Sequence, residues 1–192
     1  MMEQVMVGGA TSEGQLFMGL SPMSAPEIVD KPPVSLAVMN ATSTVSLDFN
    51  ALKIPKDDII VTTTAKELQD KDKHSTVFQA SRSLGAARAA ARFLSSTEQE
   101  AVLHHLERHH QAQDFWDQNP TWNEATELRI KALRLANEVI QAAFIAVGDR
   151  AHSLTHPLQR ISREACFYST TQLTQNLKTS ARESFKKSLE AL

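Results

Sequence analysis

Two histidines in a predicted helix have a spacing that can bind a metal ion. His105 and His109 stand four residues apart, so their imidazoles lie on one helix face. Glu107 lies about 160° around the helix from His109, and no cysteine or aspartate completes a known motif. The zinc-protease pattern needs a glutamate directly after its first histidine. We therefore interpret this segment as a solvated helix face and predict no metal site.

Two arginines near the end of the chain form a second candidate site. Arg160 and Arg163 are three residues apart and project from adjacent helix positions. Together they could grip a phosphate or a carboxylate bidentately. The alternative is a structural ion pair with Glu164 or Glu127, and the residues alone leave both interpretations open.

The glycines and serines give weaker signals. Gly85 costs a helix about 1 kcal/mol relative to alanine, and we interpret it as a site of close helix packing. Gly8 and Gly9 lack the third glycine and the Lys-Ser/Thr pair of a phosphate loop. No nucleophile elbow frames a serine. No catalytic residue is identified from these patterns.

Composition excludes several classes of protein. The 192 residues are 42% hydrophobic with a net charge of −2, enough to bury a core and too apolar for a disordered chain. No apolar run approaches the roughly 20 residues that span a bilayer, and near-neutral charge disfavours nucleic acid as a partner. The lone Cys166 and the absence of a signal-peptide pattern at the N-terminus predict a cytoplasmic protein.

The chain changes character near residue 75. Up to that point it holds five of seven prolines, four of six glycines, 10 acidic residues and 6 lysines, for a charge of −4. Beyond it lie every arginine, 12 acidic residues and 14 basic ones, for a charge of +2. This shift predicts a boundary between residues 1–74 and 75–192.

Strands are predicted before the boundary and helices after it. Apolar runs near residues 5–7 and 15–20, the alternation at 44–49 and the segment 57–61 predict about four short strands. Helices are predicted at about 76–94, 96–116, after residue 120, from Pro157, and over 172–192. Capping boxes pair Thr97 with Glu100 and Thr121 with Glu124. Two apolar stripes on the longest helix predict that it is central in a bundle. The fold class is thus α+β, a short partial antiparallel β segment followed by an up-down four-helix-type bundle.

The order of these segments resembles the second half of an acyl-CoA dehydrogenase. Residues 39–49 read Met-Asn-Ala-Thr-Ser-Thr-Val-Ser-Leu-Asp-Phe and residues 53–60 Lys-Ile-Pro-Lys-Asp-Asp-Ile-Ile, similar to the end of that family's middle β-domain. Residues 83–90, Ser-Leu-Gly-Ala-Ala-Arg-Ala-Ala, are similar to its small-residue-rich bundle helix. Residues 157–164, Pro-Leu-Gln-Arg-Ile-Ser-Arg-Glu, are similar to its late Pro-x-x-Arg-x-x-Arg-Asp pattern.

The resemblance implies a flavin enzyme acting on CH–CH groups, with FAD bound at a subunit interface. Arg92, in the reduced counterpart of an Arg-x-x-Phe-Gly stretch, and Arg160 are then the candidates for contacts with the cofactor's anionic groups. Residues 168–171 offer no carboxylate where some members keep a catalytic glutamate. The resemblance also places an N-terminal helical domain and the first part of the β-domain ahead of residue 1.

Two functions therefore compete. The chain is a family oxidoreductase or a truncated remnant of one, which we expect to be inactive in isolation. Alternatively, it is a catalytically inactive helical oligomerisation module, or half of a split flavin enzyme, including the flavin-dependent monooxygenase branch. Both predict a homo-oligomer assembled through the bundle, and the split form needs a separately encoded N-terminal half.

Overall fold

The chain folds into two compact units. In the computed structural model, residues 3–42, 44–116, 121–171 and 174–190 are described. The units are Met1–Lys71 and Asp72–Leu192, and the division falls inside the first helix. The assignment of residues 1–74 and 75–192 to two domains of the resembled family stays a prediction.

Five short strands build two small antiparallel sheets in the first unit. They are β1 (Gln4–Ala10), β2 (Leu16–Pro22), β3 (Ile28–Asp30), β4 (Leu47–Phe49) and β5 (Ile59–Thr63). The larger sheet has the order β1-β2-β5, and β3 pairs with β4 in the other. Lys31 and Asp48 form an exposed ion pair of 2.7 Å beside the second sheet. The sequence missed β3, because a three-residue strand holds too few residues for a detectable alternation, and it predicted β4 too long, since the alternation at 44–49 begins before the paired residues.

The first strand is longer than the sequence predicted. Gly8 and Gly9 lie within β1 instead of ending it. Phe17 lies opposite Gly9 on β2, and a Cβ at Gly9 would come within 2.6 Å of the Phe17 ring. Gly9 is therefore needed because the Phe17 ring occupies the space where a side chain would lie. In the sequence the same glycine resembles a residue that ends a strand.

In the described part of the chain five α-helices follow the strands, and the predicted fold class is confirmed. They are α1 (Ala65–Ala91), α2 (Ser96–Trp116), α3 (Trp122–Val147), α4 (Pro157–Thr170) and α5 (Gln175–Leu189). The α3 helix contacts α2, α4 and α5, as its broad apolar surface predicted. Arg134 on α3 also donates to the Ser184 carbonyl on α5 at 2.6 Å. None of the described helices is long and apolar enough to cross a membrane.

Capping residues fix where α2 and α3 begin. The predicted box of Thr121 and Glu124 is present at α3. The box of Thr97 and Glu100 at α2 is wrong, because the preceding Ser95 bonds Glu98 instead: its hydroxyl and backbone N–H donate to that carboxylate at 2.6 and 2.9 Å. Both pairs fit the capping pattern, so the sequence alone could not choose between them.

The first helix begins earlier than its apolar pattern indicates. Thr64 and Glu67 form a reciprocal cap with N–H···O distances of 2.9 and 3.2 Å, which starts α1 eleven residues before the predicted position. The early turns are polar and exposed, so they add little to the apolar periodicity on which the prediction rested.

The core of the second unit is rich in alanine. Apolar residues of α1, α2, α3 and α4 form one buried cluster, in which Ala87, Ala132 and Ala143 are fully buried. The close packing predicted for Gly85 of α1 is wrong, because Gly85 is exposed and no described atom lies within 4 Å of a Cβ built there. Phe78 of the same helix is 61% exposed. Close packing at Gly85 is therefore absent within the chain's described residues.

Candidate functional site

The end of α1 lies against the beginning of α4. After α1 ends at Ala91 the chain makes a tight turn, in which the Phe93 N–H donates to the carbonyl of Ala90, three residues earlier, at 3.1 Å. The Phe93 ring then lies against the His156 ring, at 5.3 Å between centroids and 48° between planes. Arg92 is exposed between the buried Ala91 and Leu94. The turn that carries Arg92 is thus placed beside α4.

His156 organises the first turn of α4. Its Nδ1 accepts from Leu158 N–H at 3.2 Å, and its carbonyl accepts from Gln159 N–H at 3.0 Å. Pro157 occupies the first helical position, as predicted, where its missing N–H costs nothing. The backbone N–H groups of Leu158 and Gln159 already donate to His156 and are not available to an anion. An anion at this end of α4 must therefore be held mainly by side chains.

Arg160 lies one turn further along α4. Its side chain is 72% exposed, and its Nε stands 3.7 Å from a carboxylate oxygen of Glu164. A pair this long and this exposed contributes little to stability, so it competes weakly with an external anion. The alternative partner suggested by the sequence, Glu127, pairs instead with Lys131 at 2.6 Å. Arg163 is half-buried on the same helix.

The residues predicted as cofactor contacts therefore share one region of the bundle. Arg92 adjoins Phe93, which touches His156, and Arg160 lies one helical turn from His156. Two exposed guanidinium groups near a helix N-terminus are chemically suited to binding a pyrophosphate.

Sequence reasoning missed a buried arginine in α3. Arg129 is 1% exposed, and its Nη2 donates to the Tyr168 carbonyl at 3.2 Å and also to the Thr171 carbonyl. Burial, and secondarily the positive charge of Arg82, lower its pKa to about 10, which leaves it charged at neutral pH. The sequence did hold a signal for this burial. Arg129 stands four residues after Ala125 and three before Ala132, so it shares a helix face with these two alanines, both of which are fully buried.

This arginine fixes the end of α4. The carbonyls of a helix's last turn have no partner within the helix, and a cation there also interacts favourably with the helix dipole. Arg129 supplies both interactions across the bundle. It therefore holds residues 168–171 in place, the segment to which the resemblance assigned the position of the family's catalytic carboxylate.

The two predicted histidines lie beside a groove between α2 and α3. His109 is half-buried and His105 is exposed. Burial lowers the pKa of His109, and the positive charges of Lys131, His105, His110 and Arg108 lower it further. No group of three or more His, Cys, Asp or Glu able to hold a metal is found in the described ranges.

Comparison with known proteins gives structural matches alone. No family model and no curated protein matches the sequence. The acyl-CoA dehydrogenase from Geobacillus kaustophilus matches in structure with a TM-score of 0.73 and 12% identity, over 95% of this chain and 57% of that one. This chain has the fold of the C-terminal part of an acyl-CoA dehydrogenase.

Further matches support the same fold. Butyryl-CoA dehydrogenase from Megasphaera elsdenii gives a TM-score of 0.69 at 13% identity, over 95% of this chain and 55% of that one. Glutaryl-CoA dehydrogenase from Mycobacterium smegmatis gives 0.63 at 14% identity, over 99% and 55%. The chain thus spans little more than half the length of these acyl-CoA dehydrogenases.

Proposed function

We propose that this protein is an acyl-CoA dehydrogenase-like flavoprotein that binds FAD at a subunit interface. The observation that supports the proposal best is the match of nearly the whole chain to acyl-CoA dehydrogenases at a TM-score of 0.73. The reaction class that goes with this fold is oxidoreduction at CH–CH groups of acyl thioesters.

The residues near the start of α4 fit the anionic part of that cofactor. Arg92 and Arg160 are exposed, neither lies in a tight ion pair with another described residue, and both are near the Phe93–His156 contact. They would bind the FAD pyrophosphate through charge-assisted hydrogen bonds. Bound flavin would supply the hydride-accepting chemistry, and the protein would supply binding and orientation.

The last turn of α4 carries no carboxylate side chain that could act as the base in acyl-CoA oxidation. Residues 165–171 include no carboxylate, and Arg129 commits the carbonyls of Tyr168 and Thr171 to a structural contact. A general base for α-proton abstraction must lie within hydrogen-bond reach of the proton it removes. We therefore assign no catalytic residue here, and we expect little or no acyl-CoA oxidation by this chain alone.

Flavin binding is tested by titrating the purified protein with FAD and following the visible absorption of the oxidised flavin. We expect wild-type protein to bind FAD, and Arg92→Gln and Arg160→Gln each to weaken binding by about tenfold or more. Arg182→Gln, which removes an exposed charge on α5, is the matched control and should bind normally. Protein that takes up no FAD, as purified or when FAD is added, would exclude the flavoprotein function for this chain alone.

A second candidate function is oligomerisation through the bundle. Among the described residues of the second unit, four large apolar side chains are more than half exposed: Phe78, Ile145, Leu154 and Phe185. Covering these side chains in an assembly would remove apolar surface from water. We expect sedimentation to give a mass above that of the monomer, with Phe185→Glu shifting it downward. A monomer at every concentration would contradict this function.

The sheet of the first unit bears on the split-enzyme alternative. Among the described strands, β1 and β5 each pair on one side only, with β2 between them. Unpaired strand edges invite pairing with another segment. Mixing the chain with a separately expressed N-terminal half of an acyl-CoA dehydrogenase should then give a stable complex, whereas two separate peaks in gel filtration would contradict the split form.

A further inference from the structure

A groove between α2 and α3 gathers four basic or imidazole side chains. Its volume is about 300 Å³. The residues that line it are His105, Arg108, His109, Ala112, Leu128 and Lys131. Three of the polar groups come from α2 and the fourth comes from α3. Tertiary packing therefore brings Lys131 to the helix face that the histidine spacing had singled out.

The added cations change what this face can bind. A divalent metal between His105 and His109 would stand near the permanent charges of Arg108 and Lys131, and the Coulomb repulsion would oppose its binding. Among the described residues that line the groove, none is acidic. The imidazole spacing that suggested a metal thus belongs to a positive groove.

The nearby carboxylates do not neutralise this charge. Glu127 pairs with Lys131 at 2.6 Å, but both side chains are more than half exposed, so the pair is weak and easily exchanged. Glu107 accepts a hydrogen bond from the Gln111 side chain at 3.2 Å and is also exposed. Burial is the main cause of the lowered pKa of His109, and positive groups lower it further: Lys131 from α3, and His105, His110 and Arg108 from its own helix.

We propose that this groove binds the phosphate group of a small metabolite, with Arg108 and Lys131 as permanent cationic partners and the imidazoles of His105 and His109 as further hydrogen-bonding partners. The planar guanidinium of Arg108 can bond two phosphate oxygens, and Lys131 supplies a point charge from the opposite helix. The groove is open, so a phosphate can enter while the rest of the ligand extends into solvent. The apolar lining of Ala112 and Leu128 limits competition from water.

Imidazole NMR resonances of the whole chain provide the test. Titration with inorganic phosphate should shift the His105 and His109 resonances in a saturable way, and glycerol phosphate should do the same. Tighter binding of the ester identifies an organic phosphate as the natural source, and equal binding identifies free phosphate. Sulfate, which keeps its charge across the range, should bind more tightly at about pH 5 than at about pH 8, because protonation of His109 adds positive charge to the groove.

Two matched variants distinguish phosphate binding in the groove from a nonspecific effect of the protein's net charge. Arg108→Gln should weaken phosphate binding by about tenfold or more, since it removes charge-assisted hydrogen bonds. Arg88→Gln removes the same charge from an exposed position on α1, outside the groove lining, and should leave affinity unchanged. Equal losses in the two variants, or no shift of either imidazole at saturating phosphate, would overturn the proposal. Circular dichroism checks that both variants are folded.

The proposal is independent of the flavoprotein function. Flavin binding is followed by visible absorption and depends on Arg92 and Arg160, whereas the groove is followed by histidine resonances and depends on Arg108 and Lys131. Failure of either experiment leaves the other result intact.

Discussion

Replacing Gly85 by alanine tests whether its face of α1 is open. Gly85 lies in the interior of α1, is exposed, and has no atom within 4 Å of the position that a Cβ would take. The substitution therefore gains helix propensity without a steric cost. We expect the free energy of unfolding to rise by about 1 kcal/mol and the melting temperature by roughly 2–4 °C.

Gly148→Ala is the matched control for this prediction. A Cβ at Gly148 also meets nothing within 4 Å, but the residue has a φ of +69° where α3 ends. Side chains disfavour that conformation, so the same substitution should destabilise the protein by about 1 kcal/mol. The pair separates helix propensity from backbone strain, because neither site offers a steric contact within the chain.

Urea unfolding followed by far-UV circular dichroism measures both effects, at two protein concentrations. A loss of stability in Gly85→Ala would refute the reasoning, because it would mean that another surface packs closely on Gly85. A loss confined to the higher concentration would identify that surface as a second copy of the chain. In that case the close packing predicted from the sequence would exist between chains.

Three further predictions concern the caps and the buried arginine. Ser95→Ala should lower the free energy of unfolding by about 1 kcal/mol while Thr97→Ala changes it little, and equal effects in urea unfolding would contradict the observed cap. The Ser95 hydroxyl, and then its backbone N–H, lower the pKa of Glu98, so this contribution to stability is present above the ordinary glutamate pKa and is lost as pH falls through the folded value. The stability difference between wild type and Glu98→Gln should therefore shrink in acid; a difference that is constant with pH would refute it. Arg129→Ala should cost about 3–5 kcal/mol and Arg129→Lys less, because alanine leaves the α4 carbonyls without their cation; a neutral alanine variant would contradict this role.

Local signals predicted most of the helical unit. The apolar residues of α3 recur every three to four positions, which predicted a helix. Pro157 and the Thr121–Glu124 box predicted where two helices begin. These features depend on hydrogen bonds and contacts within a few residues, which a sequence displays directly. The same reasoning failed at the start of α1, where the Thr64–Glu67 cap precedes two largely polar turns without apolar periodicity.

The strands were harder to predict because their stability depends on partners distant in sequence. The β2 strand pairs with β1 and also with β5, which lies about forty residues away. In the sequence Gly9 looked like the end of a strand, but it lies within β1, where the Phe17 ring leaves no room for a side chain. Its meaning depends on the register of the β1–β2 pair, which the pattern of a single strand does not encode.

The candidate sites divide in the same way. From the sequence came the α+β class, the order of elements, Arg160 and Arg163 as residues able to bind an anion, and, through the family resemblance, Arg92. Tertiary structure decided which of them meet. It brought the Phe93 ring, next to Arg92 in the chain, against His156 at the start of α4, added Lys131 to the face of His105 and His109, and directed Arg129 to the end of α4. The physical reason is that helix periodicity fixes a side chain's direction around its own axis, whereas the charge it meets is fixed by the neighbouring helix.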